Sequence, residues 1–313
     1  MSMGYILTLL TFYITTETLS LHNGLAEFSS SLHNWCLVHT SQLGSWSFFH
    51  QSLICAKKLE APEKKLVFLK LGLIHITVIS GAHLIFIHKF LILTLHKLKF
   101  KNHLILSLIG VYTLICDLSS PVLRAFIALC LKKVSKNHKF FIPLPIQILI
   151  VLLCCFILFP KLIHSKSLIL SSLCTLVIHD DFFIAFNLHN KAFFKKYNSL
   201  CKASFIYLLS SPIIIQFHFL PSPLTILFQI ILAPILFLIF IPVSFLTAII
   251  PPLHGVTDQI YDFVFLVLEQ VSSYSNISAY HYKLTTPALW SYLLFLLILT
   301  YCSNLLIKKH VSY

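Results

Sequence analysis

The sequence predicts an all-α polytopic membrane protein, a helical bundle with broken or re-entrant half-helices. Of its 313 residues, 58% are hydrophobic and only 11% are charged, whereas soluble domains have about 45–50% and about 25%. The mean hydropathy is +0.88. Because a soluble domain of this length cannot bury so much apolar surface, the ordinary secreted, disordered, collagenous and coiled-coil classes are excluded. We therefore expect lipid to cover many of these side chains.

The charged residues are strongly biased toward lysine. The formal net charge is +13, and 22 of the 23 basic residues are lysine, so Arg124 is the only arginine. In a membrane protein such an excess typically marks the ends of spans on the cytoplasmic side. A nucleic-acid groove is the alternative interpretation. The lysines alone therefore indicate orientation rather than a ligand.

The nine cysteines form no recognisable framework. They lie mostly inside apolar runs, their number is odd, and no Cys-x-x-Cys pair occurs. This pattern predicts neither a disulfide framework nor a zinc site. We expect free thiols that pack as small apolar groups.

Residues 1–56 are predicted to form an N-terminal interfacial, amphipathic segment. The apolar stretch Tyr5–Ile14 is too short to cross a membrane, and no basic residue precedes it, unlike in a signal peptide. Farther along, Trp35, Trp46 and Phe48 stand among Ser, His and Asn residues. Aromatic residues in such a setting typically lie at a membrane–water interface.

A first re-entrant unit opens the predicted transmembrane channel domain, residues 57–273. Lysines from Lys57 to Lys65 precede an apolar run, Leu66–Leu95, that polar residues interrupt. This run is too short for two full spans, and a single span would bury polar groups at mid-membrane. Two half-helices that meet at Ser80–Gly81 satisfy both constraints. Such breaks occur only where protein or a wet cavity surrounds them.

A second unit repeats this arrangement. Its arms, Leu104–Cys116 and Val122–Leu131, flank a polar turn and have lysines on both sides. Pro121 fits the first turn of the second arm, with Ser119 or Ser120 as its N-cap. Because lysines lie at both ends of both units, we expect each unit to enter and leave on the cytoplasmic side.

Further apolar segments follow the two units. The predicted helices are Ile146–Phe159, Leu168–Ile178, Ser204–Phe219, the proline-rich Leu224–Ile250 and the amphipathic Val256–Val271. In the C-terminal segment, 274–313, we predict a transmembrane helix at Leu289–Ile307. Lys308 and Lys309 then hold a short tail in the cytoplasm.

Two histidines flank the break of the first unit. His75 and His83 stand on either side of Ser80 and Gly81, which places two imidazoles near one polar point in apolar surroundings. One interpretation is that each histidine bonds a backbone carbonyl. The other is a functional cluster, because buried polar groups in a membrane are costly and tend to be functional. No third ligand is near in the sequence, so we expect no metal site.

Asp117 and Arg124 flank the turn of the second unit. An arginine inside a bundle needs a carboxylate, carbonyl groups or a bound anion as its partner. A structural ion pair with Asp117 is one interpretation. The other is a phosphate contact, because guanidinium binds phosphate oxygens through two parallel hydrogen bonds that lysine cannot reproduce.

The sequence contains no catalytic motif. Ser80 lacks a Gly-x-Ser-x-Gly setting, no glycine-rich phosphate loop occurs, and the 10 acidic residues form no metal-binding cluster. We therefore expect neither an enzyme nor a bound cofactor, and we assign no catalytic and no metal-binding residue.

Four motifs occur in order along the chain. Residues 72–84 read GLIHITVISGAHL, residues 120–125 read SPVLRA, residues 211–224 read SPIIIQFHFLPSPL, and Gln229 and Pro234 follow. They resemble the GLxHLLAISGLHL, SPxxRA and PLLLYHFGRLSPLG motifs and the downstream Asn and Pro of the ComEC competence family, the inner-membrane DNA-uptake channels of bacteria. The chain departs from the family at Cys55-Ala56-Lys57, where Gly-Asp-Lys/Arg is usual, at Gln229, and in lacking the Gly after Phe219.

The resemblance implies a channel for single-stranded DNA uptake in natural transformation, a multi-pass protein of the bacterial inner membrane. The implied DNA path is lined by His75, Ser80, Gly81, His83, Asp117, Ser120, Arg124, His218 and Gln229. The implied partners are single-stranded DNA, membrane lipid and other competence proteins, namely a DNA receptor and a helicase; a homo-oligomer stays open. Larger relatives carry an OB-like domain and a metallo-β-lactamase-like domain, which we do not expect here, and we therefore expect no nuclease activity.

Two other functions stay open at this point. The abundance of histidine and its intramembrane placement suit a small-ion or metal transporter that uses the hairpin between His75 and His83. A scaffold subunit of a DNA-uptake complex, which depends on separate proteins for DNA binding and motor action, is the other alternative.

Overall fold

Helices form most of the regular structure, and the fold is all-α as predicted. The computed structural model describes residues 24–77, 81–98, 100–139, 141–179, 198–215, 219–275, 277–279 and 285–311. Its helices are α1 (24–41), α2 (Ser47–Cys55), α3 (Pro62–Lys70), α4 (Ile74–Thr77), α5 (Gly81–Thr94), α6 (Lys101–Ile115), α7 (Ser120–Asn137), α8 (Leu144–Leu158), α9 (Lys166–Ile178), α10 (Asn198–Ile214), α11 (Thr225–Ile249), α12 (His254–Ser272) and α13 (Thr286–Val311). Short 3-10 turns, Pro160–His164 and Pro251–Leu253, precede α9 and α12. Within the described ranges, β structure is limited to two antiparallel three-residue strands, β1 (Phe219–Pro221) and β2 (Ile277–Ala279).

The first re-entrant unit has one more break than the sequence predicts. After α3 the chain turns at Gly72, whose φ is +69°, and then forms the single turn α4. A left-handed φ is readily available to glycine, which explains why the helix stops there. Of the two residues at the predicted break, Gly81 is the first residue of α5. Ser80 lies outside the described residues.

The second unit forms the predicted helix, turn and helix, while its re-entrance into the membrane stays a prediction. Between α6 and α7, Asp117 and Leu118 adopt left-handed φ values of +50° and +49°, which reverse the chain. Pro121 lies in the first turn of α7, as predicted, and Ser119 stands at the N-cap. The N-cap prediction is thus confirmed for Ser119, although its side chain makes no capping hydrogen bond.

Two helices of the described part are long and apolar enough to cross a membrane. They are α11, with a mean hydropathy of 2.8, and the Thr286–Ser303 part of α13, with 1.5. Shorter apolar helices of 10–17 residues are α6, α8, α9 and parts of α5 and α10. Large apolar side chains on this bundle, such as Ile157, Leu238 and Ile249, are strongly exposed. Apolar exposure on this scale is typical of a surface that contacts lipid or another protein.

Helix α7 lies between two groups of helices. Its residues Val122 and Ala125 pack with α5 and α6, while Leu123 packs in a cluster with α8, α9, α10 and α13. A separate core joins α2, α3, α4, α11 and α12. Side chains of α7 can therefore contact the first re-entrant unit on one side and α9 on the other.

The structure corrects the interfacial interpretation of one part of residues 1–56. Trp46 is only 2% exposed, and its ring centroid lies 5.5 Å from that of Tyr261 on α12. Trp35, by contrast, is 62% exposed, which suits an interface. Trp46 is therefore a core residue that anchors α2 to α12, while residues 1–23 lie outside the described part.

The expectation that all cysteines are free is wrong for one pair. Cys36 and Cys55 form a disulfide that joins α1 to α2, with their Cα atoms 5.9 Å apart. The other seven cysteines are free thiols. The pairing depends on how α1 packs against α2, and no local spacing of the cysteines predicts it.

Candidate functional site

The start of α5 in the first unit lies beside α7 of the second unit. A Cβ atom placed on Gly81 would lie 3.4 Å from the Cβ of Ala125 and 3.5 Å from Nη2 of Arg124. The guanidinium group of Arg124 therefore lies close to the start of α5. Gly81 of the first unit and Arg124 of the second unit, both predicted site residues, therefore lie side by side.

Arg124 is buried, and no carboxylate pairs with its charge. Its side chain is 7% exposed, and its Nε donates a hydrogen bond of 3.0 Å to Oγ of Ser171 on α9. Among the described residues the ion pair is Lys57–Glu60, so the predicted pair with Asp117, which is exposed, does not form. Burying a charge without a partner costs several kcal/mol. Water or an anion that reaches this guanidinium group would therefore reduce that cost.

Three serine hydroxyl groups lie together at the start of α7. The Oγ atoms of Ser120 and Ser167 are 2.6 Å apart, and Oγ of Ser165 lies 2.9 Å from each of them. Ser165 is also the N-cap of α9, where its Oγ accepts a hydrogen bond of 3.2 Å from the amide of Leu168. Ser120 is buried, whereas Ser167 is exposed. We call Ser120, Ser165 and Ser167 the serine triangle; it connects the surface to the interior.

Helices α7 and α9 run side by side in the same direction. Ser120 contacts Ser167, and Arg124 contacts Ser171; each pair is separated by 47 residues. Because both steps advance by one helical turn, the helices are parallel and in register. Their N-termini, which carry the positive ends of the helix dipoles, therefore lie together at the serine triangle.

A second contact links the first unit to α11. Nε2 of Gln229 donates a hydrogen bond of 3.1 Å to the carbonyl oxygen of Gly72. A Cβ on Gly72 would lie 2.8 Å from this Nε2 and 2.9 Å from Cβ of Thr225. The predicted path residue Gln229 thus holds the backbone of the first unit in place.

These units and their contacts fall inside a known family. Residues 53–309 match the family model described as Competence protein. The chain belongs to the Competence protein family. This match confirms the resemblance to ComEC, and it links the chain to competence for DNA uptake and to the membrane. No curated protein and no solved structure matches the chain.

The Competence match spans both of the segments that the sequence separates at residue 273. It includes residues 57–273 and also most of α13, which lies in the predicted C-terminal segment 274–313. The serine triangle, Arg124 and Ser171 all lie within the matched residues.

The histidines of the Competence motifs are placed only in part. His83 is buried on α5, and its ring centroid lies 5.2 Å from that of Phe237 in an edge-to-face contact. His75 belongs to α4, but its side chain lies outside the described part, as do Ser80 and His218. The meeting of the two imidazoles stays a prediction.

The serines of α9 belong to none of the four sequence motifs. Ser167 and Ser171 are four residues apart in an apolar segment, so they share one helix face. Polar residues that repeat on one face of a membrane helix tend to be functional, and this signal could have singled them out.

The chemistry that this site offers is hydrogen-bond donation to an oxyanion. Guanidinium N–H groups and hydroxyl groups donate to phosphate or carboxylate oxygens. Among the residues that the structure describes, no group of three or more His, Cys, Asp or Glu side chains could hold a metal ion. The residues brought together are hydrogen-bond donors of the kind that an oxyanion accepts from.

Proposed function

We propose that this Competence protein is a multi-pass channel of the bacterial inner membrane that conducts single-stranded DNA into the cell during natural transformation. The proposal assigns transport to the chain, with no catalysis and no strand cleavage. The observation that carries it is the close approach of Gly81 to the buried Arg124, because this approach brings two Competence motifs to one polar point inside an apolar bundle.

The buried arginine suits a polyanionic cargo. Among the described residues, Arg124 donates one hydrogen bond, from Nε to Ser171, whereas a guanidinium group carries five N–H donors. A passing phosphate group can accept two parallel hydrogen bonds from the remaining donors and neutralise the charge. Each nucleotide brings another phosphate, so the strand can exchange one contact for the next.

The membrane placement rests on the apolar helices. The two long helices α11 and α13 supply full spans, and the five shorter apolar helices supply half-length arms of the kind that line wet cavities. Lipid is the partner of the exposed apolar side chains on these helices. The lysine-rich ends of the units attract phosphate toward the mouth of the path.

Other competence proteins complete the proposed process. The sequence contains no glycine-rich phosphate loop, so in this proposal a separate helicase drives the strand and a receptor delivers it. These partners act on either side of the membrane.

The test of the proposed function is a transformation assay in the source bacterium. Deletion of the gene should abolish transformation but leave DNA capture at the cell surface intact. Complementation with Arg124→Ala should restore about 10–100-fold fewer transformants than the wild-type gene, the loss expected for a charge-assisted hydrogen bond. Val134→Ala shortens an exposed, uncharged side chain on the same helix and should complement fully. Unchanged transformation in the deletion strain would contradict the proposal.

A further inference from the structure

We propose that the serine triangle and Arg124 form a built phosphate-binding site, which takes one phosphodiester group of the single strand between α7 and α9. This inference rests on the proposed function and adds residues of α9 that lie outside the Competence motifs quoted above. Its ligand is the phosphate group of the nucleic-acid backbone, independent of the base.

The first support is the alignment of two helix N-termini. α7 begins at Ser120, and α9 begins just after Ser165, whose Oγ lies 2.9 Å from Oγ of Ser120. Each N-terminus carries roughly half a positive charge, and phosphate groups commonly bind at such ends. Two parallel ends side by side roughly double the favourable potential for one anion.

The second support is the buried guanidinium group one turn farther along. Arg124 is 93% buried, as follows from its 7% exposure, and no carboxylate pairs with it among the described residues. Ser171 binds its Nε at 3.0 Å, which fixes the plane of the guanidinium group. Ser171 is thus a positioning residue, and Arg124 is the group that reaches the ligand.

The third support is the spare hydrogen-bonding capacity at the entrance. The three hydroxyl groups of the serine triangle bond one another at 2.6–2.9 Å, and a hydroxyl group can rotate to donate to an arriving oxygen instead. Beside them, Oγ of Ser119 is buried and has no hydrogen-bond partner in the described part of the chain. Ser167 is exposed, so a phosphate group can approach from the surface.

The binding experiment uses the full chain in phosphatidylcholine nanodiscs and a fluorescent oligothymidylate. Ser167→Ala should weaken binding by about tenfold, because a hydrogen bond to a charged oxygen is lost. The exposed position makes this variant safe for folding. Ser172→Ala is the matched control, because Oγ of Ser172 is buried and bonds its own helix at Leu168, and it should bind like the wild type. Equal binding by the Ser167 and Ser172 variants would overturn the inference.

The salt dependence separates charge from hydrogen bonding. Arg124→Gln should reduce the slope of log affinity against log salt by about 0.7, the value for one phosphate contact on a single strand. Ser167→Ala should lower the affinity by the same factor at every salt concentration, so the slope should not change. An unchanged slope for Arg124→Gln would show that the guanidinium group meets no phosphate.

Two further probes identify the source of the phosphate. An oligothymidylate with a neutral methylphosphonate backbone should bind the wild type weakly. Its affinity for the Ser167→Ala variant should be the same as for the wild type. Nanodiscs that contain phosphatidylglycerol should not alter the effect of the variant on oligonucleotide binding. If Ser167→Ala changes phosphatidylglycerol binding alone, the site belongs to a lipid headgroup and the inference fails.

The inference and the proposed function fail in different ways. If deletion abolishes transformation while Ser167→Ala transforms and binds like the wild type, the channel stands and the phosphate site is refuted. If deletion leaves transformation intact while the variants still lose oligonucleotide affinity, the site stands and the proposed function is refuted.

Discussion

The side-chain amide of Gln229 donates a hydrogen bond to the carbonyl oxygen of Gly72 across 157 residues of sequence. Both residues belong to Competence motifs, so one contact ties the first motif to the last. Gly72 has a left-handed φ of +69°, and its missing side chain leaves the space that Gln229 occupies. The pair therefore fixes where the first re-entrant unit turns.

Gly72→Ala should destabilise the protein by about 1–3 kcal/mol through backbone strain, and the clash of its Cβ with Gln229 and Thr225 adds to this cost. Thermal unfolding of the purified protein measures the effect. Gly255→Ala is the control, because a Cβ at Gly255 would meet nothing within 4 Å. If both variants unfold at the same temperature, the close approach at Gly72 does not constrain the fold.

The disulfide between Cys36 and Cys55 should stabilise the fold by about 3 kcal/mol, because it closes a short loop in the unfolded chain. Cys36→Ser combined with Cys55→Ser should therefore lower the unfolding temperature. Cys302→Ser, which removes an exposed free thiol, should leave it unchanged. Equal stability of the wild type and the double variant would show that the bridge adds nothing.

The same disulfide predicts the sidedness of α1 and α2. Disulfides persist in oxidising compartments such as the periplasm, whereas the lysines that follow Cys55 predict the cytoplasmic side. We expect the disulfide to outweigh the lysines, so that α1 and α2 lie on the periplasmic side. Cys36 and Cys55 are themselves buried, so the probe is Ser41→Cys, which adds an exposed thiol at the end of α1 and which an impermeant maleimide should label in intact cells. Labelling only after the membrane is opened would place this end in the cytoplasm.

Asp258 on α12 holds the turn that leads into α2. Its carboxylate accepts hydrogen bonds from the backbone amides of Ser45 at 2.9 Å and Trp46 at 3.3 Å. Asp258→Ala should cost about 2 kcal/mol, because hydrogen bonds to a charged group are lost. Glu269→Ala, on an exposed side of the same helix, is the control in thermal unfolding. An equal effect of the two variants would refute the role of Asp258.

The stability should depend on pH through His50. The side chain is fully buried, and its ring nitrogens have no hydrogen-bond partner among the described residues. Burial lowers its pKa from 6.5 to about 4, while the negative charge of Asp258 opposes this shift. The unfolded chain therefore binds more protons in this window, so stability is full above pH 6.5 and falls by about 3 kcal/mol as the pH drops to 4. His50→Phe should flatten this slope in denaturant unfolding. Parallel curves for both proteins would assign the slope to another group.

Local patterns predict some features of this fold well, and long-range contacts explain the rest. The turn before Pro121 is encoded by its own residues, so the sequence locates it within a few positions. Trp46 and the bond between Cys36 and Cys55 depend on which helices pack together, and a single sequence contains no signal for that. At the site, motifs predict Arg124, but its partner Ser171 depends on the parallel register of α7 and α9.

Gly81 tests whether the space beside Arg124 matters for transport. Alanine fits there, because its Cβ would make ordinary contacts of 3.4 Å and 3.5 Å with Ala125 and Arg124. Leucine must displace the guanidinium group. Gly81→Ala should therefore transform like the wild type, whereas Gly81→Leu should lose about tenfold or more, as expected when one charged contact is removed. Transformation frequency at equal protein level in the membrane is the measurement. Equal loss in both variants would implicate the backbone of α5, and no loss in either would separate Gly81 from the DNA path.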